Sequence, residues 1–198
     1  MTGSIGSAEP AEPRRPRSDA PCPRDPTWYY AVMSRSAHYP VTAQLSVGPF
    51  VSPERAPGLV AAGITDLLNV SDSRSWPEVA AAGFRSIHWI PIADCVPIEG
   101  ELIIDALTKL DQLFSQPKTR VLVHCLAGQN RSPTIIWLYL RSLGVNADVA
   151  KSMIESASPD AVGGHPLLLN AETIDAMVGH RLGRTEEQLA HLREVVLG

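Results

Sequence analysis

The chain has 198 residues, enough for one domain plus a tail and a sizeable core, and its 44% hydrophobic and 19% charged residues exclude a wholly disordered chain. Seventeen Lys and Arg stand against 21 Asp and Glu, a formal net charge of −4, which gives no general attraction to nucleic acid or to an anionic membrane. Any anion must therefore be held by a local site.

In chain order, residues 1–26 are rich in Pro, Ser, Ala, Arg and acids, too poor in apolar side chains to offset ordering entropy, so a flexible tail is expected. Residues 27–198 form the expected folded domain. Gln44–Val51 and Thr65–Val70 are predicted strands, with a short helix near Pro53–Ala62 between them. Ser86–Ile92 is a further strand. Glu101–Ser115 carries apolar residues at 103, 106, 107, 110, 113 and 114, the spacing of one helix face. Arg120–His124 is a short apolar run suited to a buried central strand. Ser132–Ser142 is predicted helical, with Pro133 in its first turn where a missing N–H costs little. Asn146 caps a helix carrying Val149, Met153 and Ile154, and Asn170 caps another carrying Ile174, Met177 and Val178. Thr185 and Gln188 form a capping box for a last helix with Leu189, Leu192 and Val195. The pattern is α/β: a central mixed, mostly parallel sheet flanked by helices, with a helical C-terminal half.

Cys22, Cys95 and Cys125 are odd in number and have no CxxC spacing, so neither a disulfide framework nor a zinc site is expected. A reducing, cytoplasmic setting follows from that reading, as does the absence of an apolar run near the roughly 18 residues of a membrane span. The six histidines are scattered without ligand spacing.

The segment His124-Cys125-Leu126-Ala127-Gly128-Gln129-Asn130-Arg131-Ser132 lies between the apolar strand and the helix begun by Pro133. A short loop running from a buried strand into a helix start points several backbone N–H groups at one spot. The positive end of the helix dipole adds to that nest for an anion. Gly128 supplies the positive φ of a tight cradle, and Arg131 adds a planar fork matched to two phosphate oxygens. A thiol at the bottom of such a nest is expected to ionise at roughly pH 3.5–7.5. Cys125 then becomes a nucleophile aimed at the bound anion. Ser132 is placed to donate to the sulfur, and His124 to support the loop. Taken singly, Cys125 and Arg131 fit a structural role as well. Phosphoryl transfer to sulfur also calls for an acid to protonate the leaving oxygen. Asp94, Glu99, Asp72 and Glu101 are the candidates on spacing alone.

HCLAGQNRS resembles the HCxxGxxRS signature of the protein tyrosine phosphatase superfamily, and its continuation into SPT resembles the dual-specificity branch. GITDLLNVSDSRSW is similar to the strand and turn upstream in that family, and IHWIPIADCVPIEG to its general-acid loop. The likeness spans roughly residues 44–157. It implies a phosphate cradle of Leu126, Ala127, Gly128, Gln129, Asn130 and Arg131, with Cys125 as nucleophile and Asp94 as general acid. It also implies a phosphocysteine intermediate, no metal or organic cofactor, and a phosphorylated protein as partner. Uncharged Leu126, Ala127, Gln129 and Asn130 argue against a phosphoinositide. Asn130 before Arg131 is similar to an RNA 5′-triphosphatase loop, but Ser132-Pro133 departs from it. The alternatives carried forward are a catalytically silent phosphate-binding module and phosphatases of RNA 5′-phosphates or phosphoinositides. Cys95 or Cys22 is a candidate to trap Cys125 as a disulfide.

Overall fold

The computed structural model describes residues 36–170 and 181–198, with Ile174 between them. The expected tail lies outside the described residues, as does most of the helix expected after Asn170. A five-stranded sheet runs in the order β1-β2-β5-β3-β4. The strands are β1 (Tyr39–Pro40), β2 (Leu45–Gly48), β3 (Asp66–Asn69), β4 (Ser86–Trp89) and β5 (Val121–His124). Only β1, a two-residue edge, pairs antiparallel; the other four are parallel. The mixed, mostly parallel α/β architecture expected from the sequence is therefore present.

The helices are α1 (Ala56–Ala61), α2 (Pro77–Ala80), α3 (Gly100–Phe114), α4 (Arg131–Ser142), α5 (Ala147–Ala157) and α6 (Glu186–Leu197). In α3 the buried residues are Ile103, Ala106, Leu107, Leu110, Leu113 and Phe114, the same six positions that the spacing selects. Helix α4 is buried along almost its whole length, so its apolar content is not confined to one stripe. Asn146 caps α5 by accepting from the Asp148 amide at 2.9 Å. Here the face is corrected: Ala150 and Ile154 are buried while Val149 is exposed. Thr185 and Gln188 do form a capping box on α6, where Val196 rather than Val195 completes the buried face with Leu189 and Leu192. Among the described residues no helix is long and apolar enough to cross a membrane.

The ladder registers place the site. Gly48 and Asn69 both pair with His124, and Asn69 pairs with Trp89, so four parallel strands end at one level. The loops after β2, β3, β4 and β5 consequently emerge together at the C-terminal edge, with the β5 loop in the middle. Ligand crevices of open parallel sheets form at this edge.

A second network ties the C-terminal segment to the helical layer. The Arg184 guanidinium donates to both Asp111 oxygens at 2.7 and 2.8 Å and to the Ser142 carbonyl, while the Tyr139 hydroxyl donates to Asp111. Tyr139 stacks on Phe114 at 5.8 Å. Burial first, then the Asp111 charge, holds the Tyr139 phenol well above its ordinary range, so it stays a donor. Arg184→Ala leaves the Asp111 carboxylate without its cation, and a loss of about 3 kcal/mol in urea unfolding is expected. A midpoint unchanged from the parent would show that the pair contributes nothing net.

Candidate active site

The loop from Cys125 to Asn130 joins β5 to α4 and is braced from three sides. The Phe50 amide donates to the Leu126 carbonyl at 3.1 Å, and the Val162 amide to the Gln129 carbonyl at 2.8 Å. The Val70 amide donates to the His124 carbonyl just before the loop. Gly128 has φ +74, and a Cβ there would stand 2.7 Å from the Gly48 carbonyl carbon, so both conformation and space require glycine. At the start of α4, Asn130 makes no side-chain cap and the first turn holds no acid. Helix-start N–H groups need an acceptor, and an anion can supply it.

Cys125 is a free thiol, 2% exposed, and the Ser132 hydroxyl donates to its sulfur at 3.3 Å. Arg131 is 1% exposed. Its Nη1 donates to the Ile92 carbonyl at 3.0 Å and to Asp72 at 3.2 Å, and its Nη2 pairs with Asp94 at 3.1 Å. Among the described residues its buried Nε has no acceptor. A buried guanidinium N–H without a partner is costly, and a phosphate oxygen in the cradle would supply one. Asp94 also accepts from the Cys95 amide at 3.0 Å. The carboxylate selected by the family resemblance thus stands at the guanidinium, and so does its rival Asp72.

Asp72 is held by a loop that Asn69 organises. The Asn69 amide donates to the Ser73 carbonyl and its oxygen accepts from Ser71, while the Trp89 indole donates to the Ser71 carbonyl. In the sequence Asp72 is no more than a rival acid, and nothing local to it points to an arginine far along the chain. Glu99 instead precedes the first turn of α3, and Glu101 lies on its exposed side.

His124 is fully buried and meets Phe50 edge-to-face at 5.6 Å. Neither ring nitrogen has a partner in hydrogen-bond geometry, although the neighbouring Cys125 backbone slightly favours the protonated form. Desolvation dominates and lowers its pKa to about 4. In the unfolded chain the ring titrates at its ordinary 6.5, so above that pH both states are neutral and stability is full. Between 6.5 and about 4 only the unfolded chain takes up the proton, so stability falls as pH falls. The His124→Leu variant is expected to lose roughly 2 kcal/mol less than the parent between about pH 7.5 and about pH 5. Urea titrations of the two chains would show it, and parallel pH slopes would refute it.

The expectation about the other cysteines is corrected. Cys95 is disulfide-bonded and is not joined to Cys125, which is a free thiol. It lies half-buried on the loop after β4 at φ +60, whereas Cys125 sits beneath the cradle.

Comparison with known proteins follows this geometry. The mouse and rat proteins called protein tyrosine phosphatase type IVA 2 are each 30% identical over 108 residues, which is 54% of this chain. The chain matches 64% of the length of those relatives. Among solved structures, that of Tk-PTP in the active form aligns with a TM-score of 0.57 at 16% identity, over 75% of this chain and 98% of that one. DUSP15 aligns at 0.56 and 18%, over 79% and 95%. PTPMT1 in complex with PI(5)P aligns at 0.58 and 12%, over 78% and 98%. These structures share the fold. The family model for the dual specificity phosphatase catalytic domain matches residues 51–167, more than half of the chain, from the loop after β2 to the segment behind the cradle; the chain belongs to the dual-specificity phosphatase family.

Proposed function

We propose that the chain hydrolyses phosphomonoesters on proteins, both phosphotyrosine and phosphoserine or phosphothreonine, through a phosphocysteine at Cys125. The observation that carries this reading is the convergence at one point of a buried free thiol, a buried guanidinium with an unfilled N–H, and the uncapped start of α4. In the first step the Cys125 sulfur attacks phosphorus. The cradle amides of residues 126–130 and Arg131 hold the equatorial oxygens, and Asp94 gives its proton to the departing oxygen. In the second step water attacks the phosphocysteine, Asp94 takes the proton from that water, and the Ser132 hydroxyl stabilises the released thiolate. The steps use only side chains and main-chain amides of the chain.

Phosphoprotein is favoured over the other phosphate esters by charge. Leu126, Ala127, Gln129 and Asn130 offer no cation for a second ring phosphate, and the net charge of −4 works against a polyanion such as RNA. PTPMT1 was solved with a phosphoinositide, which keeps lipid in the test. Initial rates are expected to be measurable on phosphotyrosine and phosphothreonine peptides. On a phosphoinositide in mixed micelles and on a 5′-triphosphorylated RNA they should be at least about tenfold lower in kcat/KM. A reversed ranking would overturn the protein assignment, and binding without turnover on all four would favour a silent phosphate-binding module.

A further inference from the structure

The segment between α5 and Asn170 is a wall of the site to which the mechanism above gives no role. It is fixed to both halves of the chemistry. The Val162 amide bonds the Gln129 carbonyl of the cradle, and the Leu168 carbonyl accepts from the Ile98 amide at the end of the Asp94 loop at 2.9 Å. Between these two anchors the chain passes Trp137 so closely that a Cβ on Gly164, at φ +69, would lie 2.9 Å from the indole. The next residue is His165, whose amide donates at 3.1 Å to the hydroxyl of Thr134 in the first turn of α4. Its Nδ1 accepts from the Leu167 amide at 3.2 Å, which leaves Nε2 as the protonated nitrogen of the neutral ring. The ring is half-buried, and its segment is bonded at Leu168 to the end of the loop that carries Asp94.

Asp94 is paired with Nη2 of Arg131 at 3.1 Å. A phosphate gripped by the fork of Nε and Nη2 competes for that donor, and Asp94 then keeps only the Cys95 amide among the donors described above. We propose that His165 is a positioning residue for Asp94. Its Nε2–H takes one carboxyl oxygen when substrate occupies Arg131, and so turns the other oxygen, with its proton, toward the leaving group. This rests on the phosphatase reading. Burial, the largest influence, lowers the His165 pKa, while Asp94 raises it in part, so a ring that stays neutral and donates at neutral pH is consistent with the role. Arg131 and Asp72 also carry charge at this mouth.

The test is leaving-group dependence, because an acid that protonates the departing oxygen matters most where that oxygen is basic. Steady-state rates would be taken on aryl phosphates whose phenols range from strongly to weakly acidic. The parent, His165→Ala, His165→Gln, Asp94→Asn and the Asp94→Asn/His165→Ala double variant would be compared. His165→Ala is expected to lose about tenfold in kcat on the most basic leaving group and under about twofold on the most acidic, with KM little changed. His165→Gln, which keeps an N–H donor, should recover most of the loss, and the double variant should be no slower than Asp94→Asn alone. Competitive inhibition by inorganic phosphate should be equal in parent and His165→Ala, which shows an intact cradle. A loss uniform across leaving groups, no recovery with glutamine, or losses that multiply in the double variant would each overturn the proposal while leaving the phosphatase reading standing. Absence of turnover in the parent would sink both.

Discussion

Cys125→Ser is expected to lower hydrolysis of a small aryl phosphate by about 10⁴-fold or more while leaving the thermal melting profile close to that of the parent. The serine fits the same volume at a position 2% exposed, and it can still take the hydrogen bond from Ser132, whose hydroxyl now faces the sulfur at 3.3 Å. What it lacks is the sulfur that attacks phosphorus in the proposed reaction. The variant should therefore bind phosphopeptides without releasing phosphate, so equilibrium binding and turnover separate cleanly. Residual turnover within about tenfold of the parent would mean that another group attacks phosphorus. In that case the role of the whole loop would have to be reassigned, since no second free cysteine is found among the described residues.

Arg131→Lys is expected to cost about 10³-fold in kcat/KM, the order attributed to arginines that stabilise transferring phosphoryl groups. Lysine keeps the charge but cannot hold the Ile92 carbonyl, Asp72 and Asp94 while also offering a fork to phosphate. The effect should appear in both KM and kcat, because the planar guanidinium grips the ground state and the spreading charge of the transition state. Unfolding should shift as well. An ammonium buried where Arg131 is 1% exposed, between two carboxylates, satisfies fewer of the acceptors arranged around it. A variant with unaltered kcat/KM would show that the main-chain amides alone hold the phosphoryl group.

Much of this site is local in the chain and was therefore legible in it. His124 to Ser132 is one contiguous strand-loop-helix junction, and its chemistry follows from residue types at fixed offsets. Helix α3 was readable because its buried face is a single stripe against one core; on α5 the spacing finds Met153 and Ile154, which meet the core, but takes exposed Val149 in place of buried Ala150. Short elements gave no signal: β1 has two residues and α2 four, too few for any periodicity. Long-range partners were also invisible. Asp72 reaches Arg131 across 59 positions, and Asp111 reaches Arg184 across 73. Nothing in either neighbourhood announces such a pair, because only the packed sheet and helices bring them together. The disulfide at Cys95 was not legible either, because three cysteines without CxxC spacing point away from a disulfide framework.

The common level at which β2, β3, β4 and β5 stop has a bearing on how such a protein diversifies. The floor, where Cys125 sits, follows directly on the end of central β5; the walls belong to the connections after β2, β3 and β4. Lengthening the Pro49–Ser52 or Ser71–Trp76 connection would deepen the basin on that side without disturbing the ladder beneath it. The shape of the rim can then drift by insertion and deletion while the cradle keeps its place.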